Sequence, residues 1–269
     1  MENFILIVLE ISIGYVFNQL RIFSVEAANI LNKFVIFISL PAMILLQIPK
    51  LTLSMDILIP VIIAWIVMTL TAILTLFISS KFHFSKEVTG ALMLVAVLTN
   101  SSFLGIPIIN AYLGDEALPF ILVYDQMGTF LALATYGIFV AAYYSNKSEL
   151  NIQIMAVKIL TFPPFVSLVI ALFLIGTPFS DSILKVLQTL ANTIVPLALV
   201  AVGLQLQLKL PGHEIQPFAI ALFIKLIMAP LIALALVAMA GWTNLAASVS
   251  VMEAGMAPMV TAGAMASLS

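Results

Sequence analysis

The 269-residue sequence contains no cysteine and only two histidines. The lack of cysteine excludes a disulfide framework and thiolate chemistry. Both histidines, His83 and His213, lie in predicted loops, and no His-Glu-x-x-His motif is present. No pair of aspartates lies within the apolar stretches to form an aspartyl dyad. These absences argue against an intramembrane enzyme, and we expect no enzymatic activity and no cofactor.

Charge is also scarce, at 8% of residues, whereas 63% are hydrophobic and the mean hydropathy is +1.23. A soluble domain has about 25% charged residues, so this chain cannot cover a water-facing surface. Its continuous apolar stretches predict membrane-spanning helices in a lipid bilayer rather than a barrel. The net charge of −2 gives no sign of a nucleic-acid partner. The first residues, "MENFILIVLEISIGYVF", lack a basic region and a cleavage site, which predicts a retained first span.

Hydropathy windows predict an all-α, polytopic membrane protein with nine spans joined by very short connections. The spans lie near 3–20, 27–48, 56–80, 88–113, 117–144, 154–177, 181–208, 215–240 and 245–268. The longest polar joint lies at 143–153, near the middle of the chain.

Prolines suggest that the two halves are repeats, because they recur at a nearly constant separation of about 150 residues. The pairs are Pro41 with Pro196, Pro60 with Pro217, and Pro107 with Pro258. With five spans per repeat the second half must be inverted in the membrane, as in many secondary transporters. We divide the chain into a first repeat, 1–150, and an incomplete second repeat, 151–269. The fifth span has no counterpart in the second half, because a tenth span is missing, and we favour truncation over its natural absence.

Basic residues indicate the orientation. Loops after odd-numbered spans carry Arg21, Lys81, Lys86, Lys147 and Lys209, whereas Lys50 alone follows an even-numbered one. The positive-inside rule places the N-terminus on the non-cytoplasmic side of the cell (inner) membrane.

The stretch "TNSSFLGIPIINAYLGDE" at 99–116 is unusually polar for a spanning segment. A loop there would leave pieces too short to cross the bilayer, so we predict a broken helix. Pro107 removes a backbone donor, Gly105 permits either a bend or a close approach to a neighbour, and the freed backbone groups need partners. Asn100, Ser101 and Ser102 would supply these partners or face a substrate.

The ninth span carries the same type of interruption in "VMEAGMAPMVTAGAMAS", with Glu253, Gly255 and Pro258. Matched interruptions in both halves indicate a binding site, and two helix N-termini meeting there would favour an anion. The alternative is a pair of ordinary kinks, since proline and glycine are frequent in membrane helices.

Ionisable residues inside spans are costly and require a reason. Asp125 is either functional or a structural carboxylate capped by Tyr124 or Gln126. Lys225 either attracts an anion or balances a carboxylate, or it extends towards the cytoplasm. Glu253 could carry a coupling proton or pair with Lys225. The residues leave three energy sources open, namely a coupling proton, a coupling sodium ion and the membrane potential, and we expect no metal.

Five motifs resemble the auxin efflux carrier family of bacterial and plant membrane transporters. They are "LNKFVIFISLPAMIL", "LTNSSFLGIPIINAYLG", "YDQMGTFLALATYG", "IVPLALVAVGLQL" and "EAGMAPMVTAGAMA". The resemblance, to a bacterial member, implies a five-plus-five inverted-repeat fold similar to sodium/proton antiporters and bile-acid symporters. It further implies that helices 4 and 9 unwind and cross, with Asn100, Pro107 and Pro258 at the crossover.

The same resemblance implies a scaffold domain, about 1–50 and 151–210, and a moving transport domain, about 51–150 and 211–269. It is compatible with a homodimer through the scaffold. The family carries organic anions such as auxin, malate or malonate. We therefore expect a secondary active transporter that moves an organic anion by alternating access. A transport-inactive sensor or scaffold of the same fold is the alternative, and an intramembrane enzyme is less favoured.

Overall fold

The computed structural model describes residues 2–24, 26–51, 54–145, 153, 157, 159–206 and 215–259. Most of these residues are helical, and their regular structure contains no β-strand. Within these described residues we number ten helices in chain order: α1 Glu2–Gln19, α2 Ala27–Lys50, α3 Met55–Lys81, α4 Lys86–Val95, α5 Ser101–Leu113, α6 Asp115–Tyr144, α7 Pro163–Phe173, α8 Asp181–Gln205, α9 Ile215–Ala240 and α10 Leu245–Ala254.

Five of the helices, α2, α3, α6, α8 and α9, are long and apolar enough to cross a membrane. α1, α5, α7 and α10 are shorter apolar helices. The chain is therefore an all-helical, multi-pass membrane protein, as its composition predicts. The central polar joint, Lys147, Lys209, His213 and the second half of the ninth span lie largely or wholly outside the described residues.

The fourth predicted span is broken, but not where the sequence suggested. α4 ends at Val95, residues 96–100 are non-helical, and α5 begins at Ser101. Gly105 has helical dihedrals (φ −60°, ψ −54°), and Pro107 lies in the first turn of the α-helical part of α5. The prediction that Gly105 bends the chain at the break is wrong, because the chain unwinds before Ser101 and is already helical at Gly105.

Proline acts on these helices by widening a turn rather than by unwinding it. π-helical turns at Val35–Ser39, Ser101–Gly105 and Ile224–Met228 each end two residues before a proline, respectively Pro41, Pro107 and Pro230. A proline has no N–H for the residue four positions earlier, and its ring crowds that carbonyl. The turn before it therefore accommodates an extra residue, as a π-bulge does.

The chain forms two compact units. Unit 1 comprises Met1–Ser54, Ser102–Leu122 and Leu160–Lys209. In it α1 packs along α8, with Gly14 against Gly203. α2 packs on α7 and α8, and the hydroxyls of Ser39 and Thr193 hydrogen-bond at 2.6 Å.

Unit 2 comprises Met55–Ser101, Val123–Ile159 and Leu210–Ser269. Here α3 packs against α6, α9 and α10, and α4 packs against the end of α6. A hydrophobic core includes Val97 and Leu98 of the break after α4, packed with Met68, Met93, Leu94, Ala132 and Val140. Trp65 fixes α3 to α6 by donating its indole N–H to the Met127 carbonyl at 3.0 Å.

Candidate functional site

The two interruptions found in the sequence pair with each other inside unit 2. Thr99, in the break after α4, forms an isolated antiparallel bridge with Pro258, which follows the end of α10. The Asn100 N–H donates to the Ala257 carbonyl at 2.9 Å, and the Met259 N–H donates to the Leu98 carbonyl at 3.2 Å. This pairing satisfies backbone groups that would be costly to leave unpaired within a membrane.

Lys225 reaches the break from the π-helical turn of α9. Its side chain is 1% exposed, so it does not extend to the cytoplasm as the alternative interpretation held. The ammonium donates to the Thr99 hydroxyl and, at 3.5 Å, to the Val97 carbonyl. Lys225 is the only buried basic residue in the described part of the chain, and its ammonium is directed at oxygen atoms of the unwound segment.

Asp125 lies in the π-helical turn Tyr124–Phe130 of α6 and is also 1% exposed. It accepts a hydrogen bond on one carboxylate oxygen from the Ser101 hydroxyl and on the other from the Gln126 amide at 2.5 Å. The contact with Ser101 connects α6 to the first residue of α5. Gln126 caps the carboxylate, as the structural interpretation of Asp125 expected.

Glu253 lies in the last turn of α10 and is fully buried. Neither of its carboxylate oxygens has a hydrogen-bond partner among the residues that the structure describes. It interacts electrostatically with Asp125 and Lys225. A buried carboxylate without donors is costly to keep ionised, so Glu253 differs from Asp125, whose two oxygens both accept hydrogen bonds.

Tyr124 and Thr99 extend the polar cluster towards a small cavity. Tyr124 and Thr99 both line the cavity together with Thr129 and Gly128. The cavity leaves about 10 Å³ for the centres of water molecules, which is room for about one water. Ligand pockets typically measure about 300–1,000 Å³, so this cavity in unit 2 does not accommodate an organic anion in the described conformation.

Unit 2 brings together most of the predicted site residues: Asn100, Ser101, Asp125, Lys225, Glu253, Gly255 and Pro258. Ser102, Gly105 and Pro107 belong to unit 1, in α5. Gly255 is the first residue after α10, with φ −86°. The N-terminus of a second half-helix after Pro258, expected from the sequence, would fall on residues outside the described range.

Sequence reasoning did not select Thr99 as a site residue, and it treated Tyr124 and Gln126 only as structural neighbours of Asp125. Thr99 directly precedes Asn100 in the motif that drew attention to the break. A hydroxyl beside an interruption is a signal that could have identified Thr99. Its partner Lys225 is 126 positions away in the sequence, and no local pattern indicates that contact.

Comparisons with known proteins agree on the class of protein. A family model described as "Membrane transport protein" matches residues 1–269. An uncharacterized transporter of Methanocaldococcus jannaschii is 28% identical over 265 residues, which cover 95% of this chain and 85% of the relative. A second uncharacterized transporter, of Methanothermobacter thermautotrophicus, is 26% identical over 273 residues, which cover 98% of this chain and 87% of the relative.

Proposed function

Because the chain belongs to the membrane transport protein family, we propose that it is a secondary active transporter that moves an organic anion by alternating access. The observation that carries this proposal is the pairing of the two helix interruptions in unit 2. Irregular backbone at membrane depth is tolerated where it is enclosed in protein or lines a cavity, and in transporters it forms the substrate and ion sites.

The polar groups of the break supply the proposed contacts with the substrate. Asn100 and Ser101 lie at the N-terminus of α5, where backbone N–H groups and the helix dipole favour negative charge. Gly255 and Pro258 belong to the opposite segment of the pairing. Ser102, Gly105 and Pro107 continue α5 and remain proposed substrate residues on the strength of the sequence.

Three ionisable residues supply the proposed coupling between ion and substrate. Asp125, Lys225 and Glu253 come from three different helices, and all are buried in unit 2. Ionisable groups at membrane depth are rare because they are expensive, and they commonly mark ion or proton pathways. Their concentration supports a transport role for unit 2, most of which falls within the predicted transport domain of about 51–150 and 211–269. The scaffold, about 1–50 and 151–210, and a homodimer through it are proposed from the family resemblance.

The proposal is tested by flux of radiolabelled malate, as a first carboxylate probe, into proteoliposomes that contain the full-length protein. A carrier gives saturable uptake that unlabelled malate inside the vesicles accelerates. Protein-free liposomes and vesicles with the Asn100→Ala variant are the controls. Binding of malate without flux would support the alternative of a transport-inactive sensor. Linear, non-saturable flux would indicate a channel.

A further inference from the structure

The ammonium of Lys225 contacts oxygen atoms of the kind that bind metal cations in proteins. It donates to a backbone carbonyl in the break, that of Val97, and to the hydroxyl of Thr99. The Lys225 side chain is 1% exposed, so its charge is provided inside the protein and not at a water interface. Glu253, with which Lys225 interacts electrostatically, lies on α10, and Asp125, which interacts with Glu253, lies on α6.

Oxygen ligands of this kind are those that hold small cations in interrupted membrane helices. Unwound backbone carbonyls at the C-terminal end of a half-helix coordinate Na⁺ in transporters built on inverted repeats. Hard cations prefer carbonyl, hydroxyl and carboxylate oxygens. Val97 follows the C-terminal end of α4, and its carbonyl and the Thr99 hydroxyl are oxygen atoms of this kind that the ammonium contacts.

We propose that Lys225 is a tethered cation: its ammonium fills a cation site at the paired breaks, in the place that a sodium ion would take. Sodium is then not the coupling ion of this protein. This inference deepens the proposed function, because it narrows the ion that the transporter uses, but the site itself is a property of unit 2 and requires no transported anion.

Charge balance supports the assignment. Glu253 interacts electrostatically with Asp125 and Lys225, and no described residue donates a hydrogen bond to its carboxylate. The positive charge of Lys225 lowers the cost of burying the Glu253 carboxylate with which it interacts. If the ammonium were removed, a mobile cation would be the natural replacement, since it would restore both the charge and the contacts with oxygen.

The test compares the thermal stability of purified full-length protein in NaCl and in choline chloride at equal ionic strength. Lys225→Ala removes the ammonium and leaves room for an ion, whereas Lys225→Gln removes the charge and keeps the space filled. Lys33→Ala removes an exposed lysine of α2 and serves as the matched control.

For the wild type, Lys225→Gln and Lys33→Ala, we expect the melting temperature of each protein to be the same in NaCl as in choline chloride. Lys225→Ala should melt about 2–4 °C higher in 100 mM NaCl than in choline chloride. This difference corresponds to a shift of about tenfold in the folding equilibrium, as expected for a sodium site with a Kd near 10 mM. The effect should saturate with the Na⁺ concentration.

Two results would overturn the proposal: saturable stabilisation of the wild type by Na⁺, or a folded Lys225→Ala protein that does not respond to Na⁺. A Lys225→Ala protein that is monodisperse in neither salt would also count against it, because Na⁺ should replace the missing charge during purification. The assay contains no organic anion, so its outcome is independent of whether malate is transported.

Discussion

At the scale of single residues, the three buried ionisable groups of unit 2 have different surroundings. Asp125 accepts hydrogen bonds on both oxygens, Lys225 donates to two oxygens of the break, and Glu253 has only electrostatic partners in the described chain. Hydrogen bonds to a carboxylate favour its ionised form, and burial without them favours the neutral form. We therefore propose Glu253, whose carboxylate accepts no hydrogen bond in the described chain, as the group that exchanges the coupling proton.

We expect Asp125→Asn to alter coupling more than binding. The amide has the same size as the carboxylate but has no negative charge, so the electrostatic interaction with Glu253 is lost. The dependence of malate flux on pH should flatten or shift, while the affinity for malate should change less than about tenfold, that is, by less than about 1.4 kcal/mol. Flux measured at a series of pH values checks this. Asp181→Asn, at the exposed start of α8, is the control, and an unaltered pH profile in Asp125→Asn would exclude the role.

Asn100→Ala should weaken substrate binding without unfolding the protein. Its backbone N–H, and not its side chain, forms the 2.9 Å hydrogen bond with Ala257, so the pairing of the two breaks survives the substitution. Isothermal titration with malate should show an affinity at least about tenfold lower, as expected when a buried polar contact to a charged group is removed. Asn192→Ala, on an exposed surface of unit 1, should bind as the wild type does. Unchanged affinity in Asn100→Ala would remove Asn100 from the site.

The sequence predicted these residues with unequal success. The cost of burying charge selected Asp125, Lys225 and Glu253 without knowledge of their contacts, and all three are buried in one unit. The contact between Lys225 and Thr99 joins residues far apart in the chain and depends on the packing of α9 against its neighbours, for which no local signal exists. The roles of these residues in transport remain predictions.

At the scale of helices, the widened turn of α9 determines where Lys225 points. The turn Ile224–Met228 precedes Pro230, which cannot donate to the Leu226 carbonyl. In Pro230→Ala we expect α-helical bonding to resume through this turn. If the widened turn became α-helical, Lys225 would rotate by about 100° about the helix axis relative to the residues after the turn. This rotation would separate its ammonium from Thr99.

Pro230→Ala should consequently reduce malate flux without lowering the melting temperature, since a proline inside a helix is itself destabilising by about 3 kcal/mol. Pro163→Ala is the matched control, because Pro163 lies at the start of α7, where the missing N–H has no helical partner. Flux equal to that of the wild type in Pro230→Ala would show that the turn does not position Lys225.

Close packing of α1 on α8 leads to a prediction about stability. A Cβ atom on Gly203 would lie 2.1 Å from the Ile11 carbonyl oxygen and 2.9 Å from the Cα of Gly14. Backbone atoms cannot move aside, so Gly203→Ala should cost about 1–3 kcal/mol, which is typical of overpacking.

A lower melting temperature in detergent would confirm the Gly203→Ala prediction. The control is Gly137→Ala, whose nearest neighbour is the end of the Leu133 side chain at 3.2 Å, which can adjust. An equal loss of stability in both variants would indicate that the close contact between α1 and α8 is not the cause.

Hydropathy predicted where helices lie better than where they break. It gave the positions of the five long helices, α2, α3, α6, α8 and α9, to within a few residues, because about twenty apolar residues are required to cross the bilayer. The interruption in the fourth span was placed at Gly105 and Pro107, whereas the chain unwinds at 96–100. A proline in the sequence indicates only that one backbone N–H donor is missing. Whether a turn widens or opens depends on the partner backbone, here Leu98 paired with Met259, which the sequence does not reveal.

For the whole molecule, the motifs predicted the family, and the match over residues 1–269 confirms it. The two relatives reported above are archaeal, so a bacterial origin stays a prediction. The inverted repeat and the division into scaffold and transport domains also stay predictions. Direct measurement of orientation tests the repeat, because inversion requires equivalent connections in the two halves to face opposite sides of the membrane.

The distribution of lysine and arginine predicts an N-terminus on the non-cytoplasmic side, and the absence of cysteine makes this directly testable. Ser54 and Ser80 are exposed residues at opposite ends of α3, so Ser54→Cys and Ser80→Cys are a matched pair of nearly isosteric changes. A membrane-impermeant maleimide should label the Ser54 variant in intact cells and the Ser80 variant only after permeabilisation. The unsubstituted protein should remain unlabelled in both conditions. The reverse pattern would invert the topology, and labelling of both variants in intact cells would show that α3 does not cross the membrane.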